Sequence, residues 1–173
     1  MNVAGRNVSI GALVAAVGGV LAIVGAFLVW FQVSLGTALG GPKTDEIKGL
    51  DNNASKLALV LGIVVLALVL AWVLQLKIPY LPAIVGVAGV LLLVVLGLAF
   101  FTDILSVHFA ENAKIQSVKD ALADFNKALD AAKAQGADVS GSSASIGIGY
   151  ILEIAAGIVV IVGGALGFRK KSA

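Results

Sequence analysis

The apolar positions of this chain run together instead of alternating. Four stretches, residues 9–33, 57–76, 81–101 and 146–168, are almost purely apolar; the first three hold no charged side chain and the fourth holds one, Glu153. At about 1.5 Å of rise per residue, a helix over any of them crosses a hydrocarbon layer about 30 Å thick. The pattern therefore predicts an all-α integral membrane fold, a four-transmembrane-helix bundle forming a single four-span membrane domain over residues 1–173. The first stretch is longer than the roughly 7–15 apolar residues of a signal peptide, so it is expected to be a retained helix. Spans two and three are joined by a link so short that the two helices must be antiparallel neighbours. Pro79 and Pro82 suit the end of one helix and the first turn of the next.

The pattern changes between spans three and four. Ile115, Val118, Leu122, Phe125 and Leu129 recur at alternating spacings of three and four, which places them on one stripe of a helix. An extracytoplasmic amphipathic helix is expected over residues 104–134, with Asp124 and Lys127, and Asp130 and Lys133, as acid-first i,i+3 pairs. It either continues span three or restarts near Asp103, which suits an N-cap. Gly136 suits its C-terminal cap, and residues 138–145 read as a flexible linker. Such a stripe needs cover: the first loop or the bundle end, or the same helix of a second subunit, since the spacing is also a heptad seam. Nearly balanced charge disfavours lying flat on the lipid. The first loop, residues 34–56, carries glycines and Pro42 that argue against a long helix there.

Composition supports the same class. The chain is 60% hydrophobic and 13% charged, with a mean hydropathy of +1.05. A soluble domain of this length could not hide so much apolar surface. There is no cysteine and a single histidine, His108. This excludes disulfides, thiol redox chemistry, thiolate metal sites and a multi-histidine metal or haem site within one chain. The net charge of +2 gives no nucleic-acid footprint. No phosphate-binding loop or dinucleotide fingerprint precedes a helix, and no nucleophile has a base placed for it. No catalytic residue, metal or cofactor is expected.

Charge placement sets the expected threading. Residues 1–8, 77–80 and 169–173 carry Arg6, Lys77, Arg169, Lys170 and Lys171 and no acid, while every acidic residue except Glu153 falls in the two long loops. The positive-inside rule then puts both termini in the cytoplasm and both long loops outside. Trp30 and Tyr150 fall near the outer interface, and Trp72 and Tyr80 near the inner one, as amphipathic rings prefer. The expected location is the plasma (cytoplasmic) membrane of a prokaryote, on the Ala, Val, Leu and Gly bias of the spans.

Two features inside the spans carry candidate function. Gly11, Ala15 and Gly19 lie four residues apart in span one, and Gly163 and Gly167 form a GxxxG pair in span four. In lipid such rows let helix backbones approach closely, within one chain or between chains. Glu153, flanked at i−4 and i+4 by Gly149 and Gly157, is the only ionisable residue within a span. A lipid-facing carboxylate would cost several kcal/mol, so it is expected to face the bundle. It either bonds a neighbouring helix or lines an ion or proton path. Spans two and three offer it no partner, so one must come from a loop or another subunit.

The threading resembles the broad four-span class that includes claudin-like and tetraspanin-like proteins, with Trp30 near the first outer loop. The loop cysteines of both groups are missing, and the resemblance implies topology alone. Two functions stay open. One is a non-enzymatic scaffold or accessory subunit that works through helix contacts with other membrane subunits or itself, and through the outer helix. The other is a small oligomeric channel or proton/ion pathway that uses Glu153.

Overall fold

The computed structural model describes residues 2–3, 6–36, 43–51, 53–101, 107–109, 113–115 and 118–168. In chain order its elements are β1 (Asn2–Val3), β2 (Arg6–Asn7), α1 (Ile10–Phe27), β3 (Val29–Leu35), β4 (Lys43–Lys48), a 3-10 turn (Gly49–Asp51) and α2 (Asn53–Val73). They continue with α3 (Leu81–Phe101), β5 (Val107–Phe109), β6 (Ala113–Ile115), α4 (Val118–Ala134), β7 (Ser143–Ile146) and α5 (Ile148–Phe168). Helices α1, α2, α3 and α5 are each long and apolar enough to cross a membrane. The chain is a multi-pass membrane protein built as a helical bundle.

Helix α1 is packed small side in, large side out, whereas α3 also buries Val85, Leu92 and Leu96. The buried face of α1 is Gly11, Ala12, Ala15, Gly18, Gly19, Ala22, Gly25 and Ala26. Its exposed face is Ile10, Leu13, Val17, Val20, Val24 and Phe27. Water would drive the large residues inward, but hydrocarbon solvates them as well as a protein interior does. What remains is close backbone contact, which small residues allow. Around the ring α1 packs on α2 and α5, and α3 closes the other side between α2 and α5.

Several helix ends match their sequence signals. The Ser9 hydroxyl accepts the Ala12 N–H at 3.2 Å and caps α1. Helix α2 ends in a Schellman motif: Leu76 N–H donates to Ala71 O at 3.0 Å and Gln75 N–H to Trp72 O at 3.1 Å, with Gln75 at φ 56°. Gly136 closes α4 the same way, at φ 79°, with Ala137 N–H donating to Ala132 O. Helix α3 starts at Leu81 with Pro82 in its first turn.

Other segments depart from expectation. Span one stops at Phe27 and does not reach Val33. The following Val-Trp-Phe-Gln-Val is β-branched and aromatic, and it forms the central strand of a three-stranded antiparallel sheet ordered β4-β3-β7. Val33 pairs with Asp45 on one side and Ala144 on the other. The remaining helix of 18 residues is ~27 Å long, close to the thickness of the hydrocarbon layer. Residues 34–56 are therefore partly a strand pair, and α2 begins earlier than Leu57.

The linker before span four is ordered. The Ser140 hydroxyl, and then its N–H, which donates to Asp138 Oδ1 at 2.9 Å, hold that exposed carboxyl below its usual value. Gly36 N–H donates to Ser142 Oγ at 2.8 Å, and Ser143–Ile146 is strand β7. Gly147 N–H then donates to Trp30 O at 2.7 Å, which ties the sheet to the start of α5.

The helix expected over 104–134 is also shorter. Val107–Phe109 and Ala113–Ile115 form a small antiparallel ladder, and the helix spans Val118–Ala134. Ile115 therefore lies in a strand and not on the helical stripe. Residues 102–106, where a break near Asp103 was expected, lie outside the described residues, as do 169–173. On α4 the expected amphipathicity holds: Leu122, Phe125, Leu129 and Ala132 are half-buried, while Asp124, Lys127, Asp130 and Lys133 are exposed. Lys133 Nζ lies 4.0 Å from Asp130 Oδ1, a solvated pair worth little.

Candidate functional site

At the end of the bundle nearest the three-stranded sheet, three helices and the sheet converge on one carboxyl. Glu153 sits in the second turn of α5 and is fully buried. Ser55, in the first turn of α2 and also fully buried, donates from Oγ to Glu153 Oε1 at 3.2 Å. The same Oγ lies 3.5 Å from Ala26 O at the end of α1. A hydroxyl has one proton, so the two acceptors compete for it. Glu153 Oε2 has no hydrogen-bond partner among the described residues.

Glycines make room for this cluster. A methyl group on Gly25 would stand 2.6 Å from Glu153 Cγ. One on Gly49 would stand 2.5 Å from Ser55 Oγ and 2.8 Å from Trp30 Nε1. The 3-10 turn is locked in place, since Gly49 N–H donates to Leu28 O at 2.9 Å. Trp30, the second residue of β3, folds back so that its indole N–H donates to Gly25 O at 3.3 Å. Its ring meets Tyr150 edge-on, with centroids 5.3 Å apart at 75°. Tyr150 in turn donates its hydroxyl to Leu96 O on α3 at 3.0 Å.

The geometry therefore links all four membrane helices near one level. Glu153 and Ser55 join α5 to α2, Ser55 reaches α1, and Tyr150 joins α5 to α3. In a region with no water to satisfy polar groups, each such bond costs free energy to break. Among the described residues no three His, Cys, Asp or Glu side chains cluster as a metal site.

The chain matches no protein-family model, and no curated protein matches it.

The structure distributes the expected packing residues among different neighbours. A methyl group on Gly163 would stand 2.5 Å from Ala15 N and 2.7 Å from Gly11 O. Gly11 meets Gly163 and Gly167, Gly18 meets Ala156 and Val160, and Gly25 meets Gly149 and Glu153. The α1 face toward α5 thus includes residues 11, 15, 18 and 25, at spacings of four, three and seven, and not the four-residue row alone. Gly19 instead meets Leu66 and Val65 of α2, and Gly157 meets Leu93 and Gly89 of α3. Gly149 and Gly157, which flank Glu153 in sequence, thus contact different helices.

The outer stripe also has cover within the chain. Leu122 and Phe125 pack against the buried cluster that contains Trp30, Phe31 and Tyr150. Leu129 is half-buried, and the side chains of Ile115 and Val118 lie outside the described residues.

Glu153 is legible in the sequence and its partner is not. Ser55 falls in the segment expected as the first loop, and Trp30 and Tyr150 read as interface aromatics. One signal was present: Ala54, Ala58 and Gly62 form a small-residue row, all buried, that starts before Leu57. Extending α2 back along that row brings Ser55 into the membrane helix.

Proposed function

We propose that this protein is a non-enzymatic four-span membrane scaffold or accessory subunit that offers its sheet and α4 to a partner outside the bilayer. The supporting observation is that Trp30, Glu153, Ser55 and Tyr150 fasten the sheet directly to the bundle end. A surface held rigidly to four spans suits docking, since little ordering entropy is lost on binding. The charged face of α4, with Lys119, Asp124, Lys127 and Asp130 exposed, is the surface left open once Leu122 and Phe125 are covered. On the charge argument, this end lies outside a prokaryotic plasma membrane and both termini lie in the cytoplasm.

The test is isolation of the native detergent complex from its own cells. A defined companion should co-purify in fixed ratio and be lost when Lys119 and Lys127 are both changed to Glu. A monomer that enriches nothing overturns the reading.

One observation favours the second reading, a small oligomeric channel or proton/ion pathway. Glu153 Oε2 is buried without a hydrogen bond among the described residues, and intramembrane carboxylates often serve transport. Flux in reconstituted vesicles separates the two readings. The scaffold reading expects no flux above empty vesicles and no effect of Glu153→Gln; flux abolished by that substitution would establish the pathway.

A further inference from the structure

Glu153 is a fully buried carboxyl with no basic side chain paired to it among the described residues. The nearby Lys48 and Lys56 are exposed. A buried charge is paired, neutralised or bound to a metal ion. A proton on Oε2 would be a buried donor in need of an acceptor, and Oε2 has no hydrogen-bond partner among the described residues.

Oxygens already stand around this carboxyl. Ser55 Oγ lies 3.2 Å from Glu153 Oε1 and 3.5 Å from Ala26 O. Both are long for O–H···O hydrogen bonds, which cluster at about 2.7–2.8 Å. They match the edges of a coordination shell instead. Oxygens held about 2.3–2.6 Å from an ion of Ca²⁺ size stand about 3.2–3.7 Å apart at right angles, and Na⁺ is nearly that size. Ala26 is the last residue but one of α1. Its carbonyl has no intrahelical donor and lies at the negative end of the helix dipole. In membrane proteins, carbonyls at such interrupted helix ends coordinate Na⁺.

Charge selects the valence of the ion. One carboxylate balances one positive charge, and no three His, Cys, Asp or Glu side chains cluster for a divalent ion among the described residues. The larger K⁺ would spread the oxygens further than they stand. Asp51 and Asn53, close before Ser55, are exposed, so the site lies just below the aqueous end of the bundle.

We propose that Glu153, Ser55 and the Ala26 carbonyl bind one Na⁺ between α5, α2 and α1. Ser55 then turns a lone pair to the ion and its proton to one of the two neighbouring oxygens. The site rests on neither functional reading: binding is measured without flux and without a partner, so it can fail while either of them stands.

The full chain in detergent micelles is titrated with radiolabelled Na⁺ at mildly alkaline pH, with choline chloride holding ionic strength constant. It should bind one Na⁺ per chain saturably, and K⁺ should compete about tenfold more weakly. The melting temperature should rise by about 5 °C from choline chloride to sodium chloride at roughly a hundredfold excess over Kd. Glu153→Gln should lose both the binding and the sodium-dependent rise, yet melt near the parent in choline chloride, which shows that it is folded. Ser55→Ala keeps the carboxylate, loses one oxygen and should weaken binding by about tenfold. Asp138→Asn, which removes an exposed acid, should leave binding unchanged.

Binding by the parent no greater than that by Glu153→Gln overturns the proposal. So does an equal melting temperature in sodium and choline chloride. Infrared difference spectra of the parent against Glu153→Gln give a third readout. Absence of a carboxylic-acid C=O band in saturating sodium supports the site. A band that persists there means that the carboxyl holds a proton, and also overturns it.

Discussion

Glu153 shows how one residue can be conspicuous in a sequence while its role rests on groups elsewhere in the chain. Its carboxyl is buried because Gly25 leaves space beside it, Gly49 leaves space for Ser55, and Ser55 offers a donor. Glu153→Gln keeps an acceptor for Ser55 and nearly the same volume, so unfolding in detergent should shift by no more than about 1 kcal/mol. Glu153→Ala removes the acceptor and opens a void among α1, α2 and α5, and should cost about 2–4 kcal/mol. Thermal unfolding of the two variants side by side checks this. Tyr150→Phe loses only the bond to Leu96 O and should cost about 1 kcal/mol in the same assay. The sequence exposed Glu153 because a charge among apolar residues stands out. Ser55 did not stand out, because a serine near a helix start reads as loop or cap.

At the scale of elements, the seam between α1 and α5 carries the bundle. Gly163→Leu should force the two helices apart, since even a first side-chain carbon would stand 2.5 Å from Ala15 N. A large loss of thermal stability in detergent is expected. Gly97→Ala is the matched control. No atom outside the local helix lies within 4 Å of its added carbon, so stability should stay level or rise by up to about 1 kcal/mol. The presence of spans was legible from apolar length alone, and α3 lies where it was expected. The end of α1 was not legible. An apolar run of Val, Trp and Phe has the same hydropathy in a membrane helix as in a buried strand. Its pairing with β4 and β7, which lie far apart in sequence, is what selects the strand. Likewise the Ser-rich segment before α5 reads as a linker until β3 gives it a ladder.

At the scale of the molecule, threading is the most direct matter for experiment. The chain has no cysteine, so any introduced thiol is unique. Ser140→Cys, at an exposed turn before β7, and Lys77→Cys, in the exposed link, lie at opposite ends of the bundle. A membrane-impermeant maleimide should label Ser140→Cys on intact cells and Lys77→Cys only after lysis. The reverse pattern would invert the protein and move the proposed docking surface to the cytoplasm.

The sequence by itself determined that this chain is a multi-pass membrane protein with four helices long and apolar enough to cross, and that small residues line α1 and α5. Those properties follow from length, hydropathy and side-chain size, which are local. It also singled out Glu153, because a charge in hydrocarbon is costly wherever it points. Only the tertiary structure decided that α1 gives way to a strand, that small residues expected in one row face different helices, and that Ser55 meets the carboxyl. The reason is physical: a strand needs a partner to satisfy its backbone, and a helix face acquires its neighbour only when the bundle closes.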